Sequence, residues 1–492
     1  MKADPQTIIG PVRGIAVPTT LQGDEILTKR MGKVATSSLA VVLAFSLAAC
    51  GNNGNNGGNA NSGANANTGN VNSENANAQN SGTDAAAADS LSGKVTLWTA
   101  SLAGEPFDTY FKNVEKEFET LHPELDVIIQ DVPQNEMEQK VLVSLTGSDV
   151  PDVVNLNPHY MANIAAQGGL LDLTNEVSEE TKKSFVEGPF QSGILDGKLY
   201  ALPWYLTTTV SWYNGDQFAA AGVESLPTDM KGVYDTAKKV KDATGKAAFY
   251  PVVNDGNTIM EKMVTLANGE PIVKDGKASF ENNAAILEFF TLTQQMYKEG
   301  LIPQEAAEGS IKTGQQLYMA GNVSFLEGGV TFLGPVESGA PDIFKASKAG
   351  QPLAEDGAPV NVAVMNFAVP SKTKNKEAAV ALAEFVSNAK NQLEFSKTAG
   401  TVLPSTNESL SDDYFKNPGD SPKALGMLEA SKSLQRAKVL IPPTENNADL
   451  RAATKNIFID NLQGKLKPEE ALQKLAAEWN KAFEKSGEKV TF

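Results

Sequence analysis

Cysteine occurs once and histidine twice in this chain of 492 residues. A single Cys excludes a disulfide framework and any zinc site built on several thiolates. His122 and His159 alone leave little room for His-rich metal chemistry. Arginine is also scarce, with only Arg436 and Arg451 beyond residue 49. Carboxylate and phosphate ligands are usually clamped by bidentate Arg, so uncharged ligands are favoured. The net charge of −17 argues against nucleic acid, whose binding draws on clustered Lys and Arg. No Gly-x4-Gly-Lys-Ser/Thr loop, Gly-x-Ser-x-Gly elbow or His-Glu-x-x-His motif is present, and Gly193–Leu199 has the wrong spacing for the first. The absence of a repeat every 20–50 residues makes solenoids and propellers poor candidates. The length suggests two to four domains at roughly 100–200 residues each.

The lone Cys sits in an informative place. Lys29, Arg30 and Lys33 precede an apolar run from Leu39 to Ala49, then Cys50 and Gly51. A basic flank, a short apolar stretch and small residues before a cut describe a secretory signal peptide. The run is too short for a membrane span of about 20 residues. Leu47-Ala48-Ala49-Cys50 resembles the bacterial lipobox, which implies a lipidated Cys50 at the mature N-terminus. Residues 1–49 are therefore expected to be a leader, whose true start is Met31 if the first 28 residues are not part of it. Thirteen Asn occur from Gly51 to Asn80, interleaved with Gly, Ala and Ser. Such a tract has nothing to bury, and residues 50–92 are expected to form a disordered tether.

Beyond it, Lys94–Trp98 reads as a strand. A helix follows with Phe107, Tyr110, Phe111, Val114, Phe118 and Leu121 on one face, and His122 is expected to cap its end. Leu125–Val132, Gln134–Leu145 and Pro151–Asn155 continue as strand, helix and strand. This order implies a parallel sheet with helices on both faces, whose ligands bind outside the carboxyl ends of the strands. That rule singles out Thr99–Glu105 and Asn155–Tyr160. Further helices are expected at Asp229–Lys241, Asn282–Lys298, Ile311–Met319, Lys376–Lys390, Gln392–Thr398, Asp449–Leu462 and Pro468–Glu484. Strands are expected at Ala247–Val253, Val323–Glu327 and Val360–Val369.

The stretch Gly197-Lys198-Leu199-Tyr200-Ala201-Leu202-Pro203, leading through a Thr-rich strand to Tyr213-Asn214, resembles the family 1 bacterial extracellular solute-binding proteins, the maltose-binding-protein-like group. Pro151–Val154, Gly169–Thr174, Phe367–Pro370 and Gly464–Phe483 match in the same order, so the resemblance covers about 94–486. It implies an α/β, two-lobed periplasmic-binding-protein-like fold, each lobe a mainly parallel sheet flanked by helices, with the ligand cleft between lobes. By carry-over the N-terminal lobe is 93–207 plus 323–370 and the C-terminal lobe 208–322 plus 371–492. The implied function is capture of a mono- or oligosaccharide on the outer face of the cytoplasmic membrane and its delivery to ABC permease subunits, as a monomer anchored through Cys50. Closure is expected about a hinge near Leu206–Val210. Neither cofactor, metal nor catalytic residue is implied. The alternatives are a secreted glycoside hydrolase with paired carboxylates and a binding protein for a non-sugar solute.

Matching positions give the candidate ligand residues: Asn155, Asn157, His159, Tyr160, Trp204, Tyr205, Asn254, Asp255, Glu327, Thr331, Phe332 and Asn446. A sugar has apolar C–H faces and a rim of hydroxyls, so these residue types suit it. Trp98, Trp204, Tyr205, Tyr160 and Phe332 are the candidate platforms, although buried aromatics also serve as core.

Overall fold

The computed structural model describes residues 91–492 apart from Asp255 and Pro418. The leader, Cys50, most of the tether and Asp255 lie outside the described residues. The principal strands in chain order are β1 (Ser92–Ala100), β2 (Glu124–Val132), β3 (Val153–Leu156), β4 (Ala201–Thr208), β5 (Val210–Asn214) and β6 (Phe249–Tyr250). They continue as β7 (Phe325–Gly328), β8 (Ser347–Gly350), β9 (Val360–Ala368), β10 (Leu403–Pro404) and β11 (Ala437–Lys438).

The first sheet has the order β10-β4-β9-β3-β1-β2, with β11 added to β9. Strand β1 runs parallel to β2 from Ser92↔Glu124 to Ala100↔Val132, and parallel to β3 at Leu97↔Val153. The Phe107–Leu121 helix makes the first crossover and buries Tyr110, Phe111, Val114 and Phe118. Leu121, at its last turn, is instead 63% exposed. His122 caps this helix, its backbone N–H donating to the Phe118 carbonyl at 2.9 Å. Met137 and Val141 of the Gln134–Ser144 helix are buried in a separate cluster with Val154, Leu156 and Ile164. The two helices thus cover opposite faces of the sheet, as right-handed crossovers to strands on either side of β1 require.

The second sheet has the order β8-β5-β7-β6. Strand β5 is antiparallel to both β7 and β8, while β7 and β6 are parallel. Its core joins Trp212, Phe218, Phe249, Phe289, Phe290, Phe325, Phe458 and Trp479 from strands and surrounding helices. The C-terminal helices Asn447–Leu462 and Pro468–Ser486 close this lobe, the second burying Leu472, Leu475, Trp479 and Phe483.

Two lobe boundaries need correction. Residues 323–350 fall in the second lobe, because β7 and β8 pair with β5. Residues 371–404 fall in the first, because Ala379, Leu382 and Phe395 pack with Val95, Trp204 and Phe367, and β10 pairs with β4. Which sheet a strand joins is set by distant partners, not by its own sequence. The chain crosses between sheets at Thr209 and back through 351–359, and after Pro404 it runs on to helices that pack in the second core through Met427, Leu450 and Trp479. Antiparallel pairing from Val362↔Thr208 to Val364↔Leu206 lays the first two crossings side by side.

Candidate functional site

A cavity of about 480 Å³ opens where the crossings meet the two lobes, within the range of ligand sites. Strand parity explains much of its wall. In β4, Leu202, Trp204 and Leu206 are fully buried, whereas Tyr205 and Thr207 alternate with them and line the cavity. Asn157 comes from the loop after β3, Pro158 and His159 from the first turn of the helix that follows it, and Leu102 from the loop after β1. Asn257, Glu261 and Thr331 come from the second lobe, and Asn361 from β9.

The aromatic side presents Phe107 and Tyr205, with the fully buried Phe395 packed behind both. Phe395 lies 5.6 Å from Phe107 and 5.2 Å from Tyr205, centroid to centroid. Its helix, Ala389–Ala399, begins with Asn388 accepting from the Asn391 N–H and ends at Gly400, whose φ of 64° favours glycine. Gln392 ties the helix to β4: its Nε2 donates to the Pro203 carbonyl at 3.2 Å, and its Oε1 accepts from the Ser405 N–H. Burial pushes the Tyr205 hydroxyl up to about 12, so it stays a neutral donor and acceptor.

The polar side carries little net charge. Asn157 caps the Pro158–Ala166 helix through Oδ1, which accepts from the Tyr160 N–H at 2.9 Å. His159 is held below the ordinary imidazole value of 6.5, chiefly by burial and further by Arg451. A neutral imidazole both donates and accepts, which suits a hydroxyl. Asn257 Nδ2 donates to Glu261 Oε1 one turn along the Asn257–Leu266 helix. The helix can start there because Gly256 has φ 72° and a Cβ would lie 2.1 Å from the Arg451 carbonyl oxygen. Among the described lining residues Glu261 is the one acid, and no Lys or Arg lines the cavity.

Four of the twelve sequence candidates line this cavity: Asn157, His159, Tyr205 and Thr331. Trp204 does not. It is fully buried, 4.2 Å from Phe395 and 4.5 Å from Phe367, and acts as the backing of the aromatic wall. Phe332 packs in the second core beside Trp212 and Tyr318. Asn155 is buried between strands, its Nδ2 donating to the Asn366 carbonyl. Asn446 donates to Ser486 Oγ and Glu488 Oε2 at the far end of the C-terminal helices. Asn254 accepts from Lys455 Nζ at 2.9 Å, outside the cavity wall. Tyr160 and Trp98 pack against the core of the first lobe. Glu327 lines an adjoining cavity and pairs with Lys262 at 2.7 Å.

Phe107, Phe395, Asn257, Glu261 and Asn361 were not singled out from sequence. Phe107 read as the first residue of a core stripe. The carboxyl-end rule applied to the strand ending near Val253 points toward Asn257, but not to Glu261 a turn later. No group of three metal-ligating side chains occurs among the described residues.

A mixed α/β body, two sheets and a cleft between them define a binding protein of the periplasmic type. The chain belongs to the bacterial extracellular solute-binding proteins, whose family model matches residues 104–393. A binding protein of Brucella abortus is 25% identical over 375 residues, covering 75% of this chain and 88% of that one. The arabinooligosaccharide-binding protein of Bacillus subtilis is 27% identical over 326 residues, covering 63% of this chain and 72% of its relative. A solved structure from Synechococcus sp. MITs9220, assigned by name to the oligosaccharide periplasmic-binding proteins, is 28% identical with a TM-score of 0.69, covering 80% of this chain and 99% of that one.

Proposed function

We propose that this protein captures a carbohydrate outside the cell and delivers it to the permease of an ABC importer. The observation that carries the reading is the cleft itself, whose lining joins the aromatic Phe107 and Tyr205 with Asn157, His159, Asn257, Glu261 and Asn361. Flat apolar rings match the C–H face of a pyranose or furanose, and neutral amides and imidazole match its hydroxyls. The names of the Bacillus subtilis and Synechococcus relatives point to the same ligand class. Binding contacts from both lobes favour a closed state, with motion about the crossing at Leu206–Val210. The function requires binding and release, without covalent chemistry. A glycoside hydrolase would use two carboxylates flanking the bond and return a shortened sugar, so recovery of the bound sugar unaltered separates the two readings. A thermal-shift screen of neutral sugars tests the proposal. A sugar at 100 times its Kd adds about 2.7 kcal/mol of stability, and no stabilisation by any sugar contradicts it.

We further propose that Cys50 carries a lipid anchor, that 51–90 tethers a monomeric body to the outer face of the membrane, and that the two lobes are 91–208 with 360–412 and 210–350 with 413–492, β11 of the latter reaching back to pair with β9. No helix among the described residues is long and apolar enough to cross a membrane. Cys50→Ala is expected to move the protein from the membrane fraction to the soluble fraction, since stable anchoring takes the acyl chains that lipoprotein maturation adds. Unchanged membrane retention of the variant contradicts the anchor.

A further inference from the structure

The helix Pro422–Ser433, with the short turn Leu434–Arg436 that ends it, is bonded to or continuous with all three connections between the sheets. It is seated on the second lobe. Met427, Ala430 and Leu434 belong to that core, and a Cβ on Gly426 would lie 2.2 Å from the Trp212 indole. The first crossing is tied to it by Thr208, the last residue of β4, whose Oγ1 donates to the Ala430 carbonyl at 3.3 Å. The second crossing is tied at both ends. Gln351 Nε2 donates to the Glu429 carbonyl and to Glu429 Oε2, each at 2.8 Å, and Gln351 Oε1 accepts from Ser433 Oγ at 3.1 Å. Arg436 Nη1 donates to the Ala358 carbonyl at 2.9 Å, and its Nη2 reaches Gln351 Oε1 at 3.4 Å. Between these ends the second lobe holds Leu353, whose N–H donates to Glu327 Oε1 at 2.8 Å and whose carbonyl accepts from Lys262 Nζ at 2.9 Å. The turn Glu355–Ala358 is closed by the Ala358 N–H donating to the Glu355 carbonyl at 3.0 Å, with Gly357 at φ 82°. The third connection is the helix's own continuation: Ala437 and Lys438 follow Arg436 directly and pair with Val360 and Asn361 of β9.

Bonds at Gln351, Leu353 and Ala358 make the second crossing part of the second lobe as far as Ala358, and leave Pro359 alone between it and β9. The first crossing likewise has Thr209 alone between β4 and β5. Rotation of one lobe against the other is therefore absorbed at Thr209, at Pro359 and at the Arg436–Ala437 peptide, all beside this one helix. We infer that Arg436 is a positioning residue for lobe closure: it fastens the second crossing to the third connection, so that the three connections turn together rather than one at a time. Arginine suits that task because its planar, rigid fork holds two acceptors in fixed directions, which an ammonium does not. One acceptor is the carbonyl that precedes the pivot, and the other is the amide that ties the far end of the same crossing to the helix. The inference rests on the two-lobe closure proposed above and not on the class of ligand.

Hydrogen–deuterium exchange of the full chain without ligand, read by mass spectrometry, tests the coupling. Arg436→Gln is expected to speed exchange about tenfold in peptides covering 351–361 and, because the connections are coupled, in those covering 206–210 and 437–439 as well. Peptides from the two cores stay near the wild type. Arg436→Lys keeps one donor for the Ala358 carbonyl and should fall between the two. Gln351→Ala removes the other end of the link and should reproduce the pattern; it decides the matter if Arg436→Gln fails to fold. Faster exchange confined to 351–361, or no change, overturns the coupling and leaves Arg436 a local brace. A second arm reads binding, with oligosaccharides of glucose, galactose, arabinose and N-acetylglucosamine as probes. For whichever binds, Arg436→Gln is expected to lower affinity about fivefold to tenfold, chiefly through faster dissociation, with Arg436→Lys intermediate. Unchanged affinity and dissociation in the folded variant overturn a role in closure. If no sugar binds the wild-type protein, the carbohydrate reading fails, while the exchange pattern still decides the coupling.

Discussion

Trp204→Ala is expected to lower folding stability by about 3–5 kcal/mol, the usual cost of truncating a fully buried large aromatic. The indole is fully buried and lies among Phe111 at 6.0 Å, Tyr205 at 5.0 Å, Phe367 at 4.5 Å and Phe395 at 4.2 Å. These rings join the Phe107–Leu121 helix, β4, β9 and the Ala389–Ala399 helix, so the cavity left by Ala opens at the meeting point of four elements. The neighbours are large and held by their own packing, and collapse can recover only part of the loss. Because the indole does not line the cleft, sugar affinity of the folded fraction should change by less than about tenfold, through loosening of Tyr205 and Phe395. A urea melt beside a calorimetric titration checks both statements. An intact melt with lost affinity would return Trp204 to the ligand site.

Lys262→Ala is expected to cost about 3–5 kcal/mol as well, for an electrostatic reason. Removing one partner of a buried ion pair leaves the other charge uncompensated. Here Glu327 would keep the Leu353 N–H but lose its 2.7 Å partner, and the Leu353 carbonyl would lose its donor at 2.9 Å. A double variant, Lys262→Met with Glu327→Leu, removes both charges and should recover most of the loss, since an apolar pair of similar volume is often neutral or better. Equal destabilisation in the single and double variants would assign the effect to packing rather than to the stranded carboxylate. A loss below about 1 kcal/mol in Lys262→Ala would put the pair in the range of exposed surface bridges.

Much of the fold is readable in the residues, for local reasons. The stripe Tyr110, Phe111, Val114 and Phe118 repeats at helical spacing, and the β-branched run in β2 is bounded by His122-Pro123 and Pro133. Strand-helix-strand order then fixes a parallel start to the first sheet. The lobe boundaries are harder to read because both lobes use the same strand and helix patterns. Nothing within Val323–Glu327 distinguishes pairing with β5 from pairing with β9.

The site divides along a similar line. Loops after β1 and β3 are found by the carboxyl-end rule, and Leu102, Asn157 and His159 do line the cavity. The period of two in β4 separates Tyr205 and Thr207 from Trp204 and Leu206, yet it does not say which face meets the cleft. That choice is made by Phe395, nearly two hundred residues away, packing over the Trp204 side. Asn155 and Asn446 have the right chemistry for a sugar, but Asn155 is fully buried between strands and the Asn446 Nδ2 is already given to Ser486 and Glu488.

The central claim is stoichiometric capture of an unaltered carbohydrate, and calorimetric titration followed by recovery of the ligand tests it most directly. The account predicts one sugar bound per chain, a negative heat-capacity change from burial against the aromatic wall, and ligand recovered by mass spectrometry at its original mass. Shortened sugar in the recovered fraction, or no heat with any carbohydrate, would contradict it.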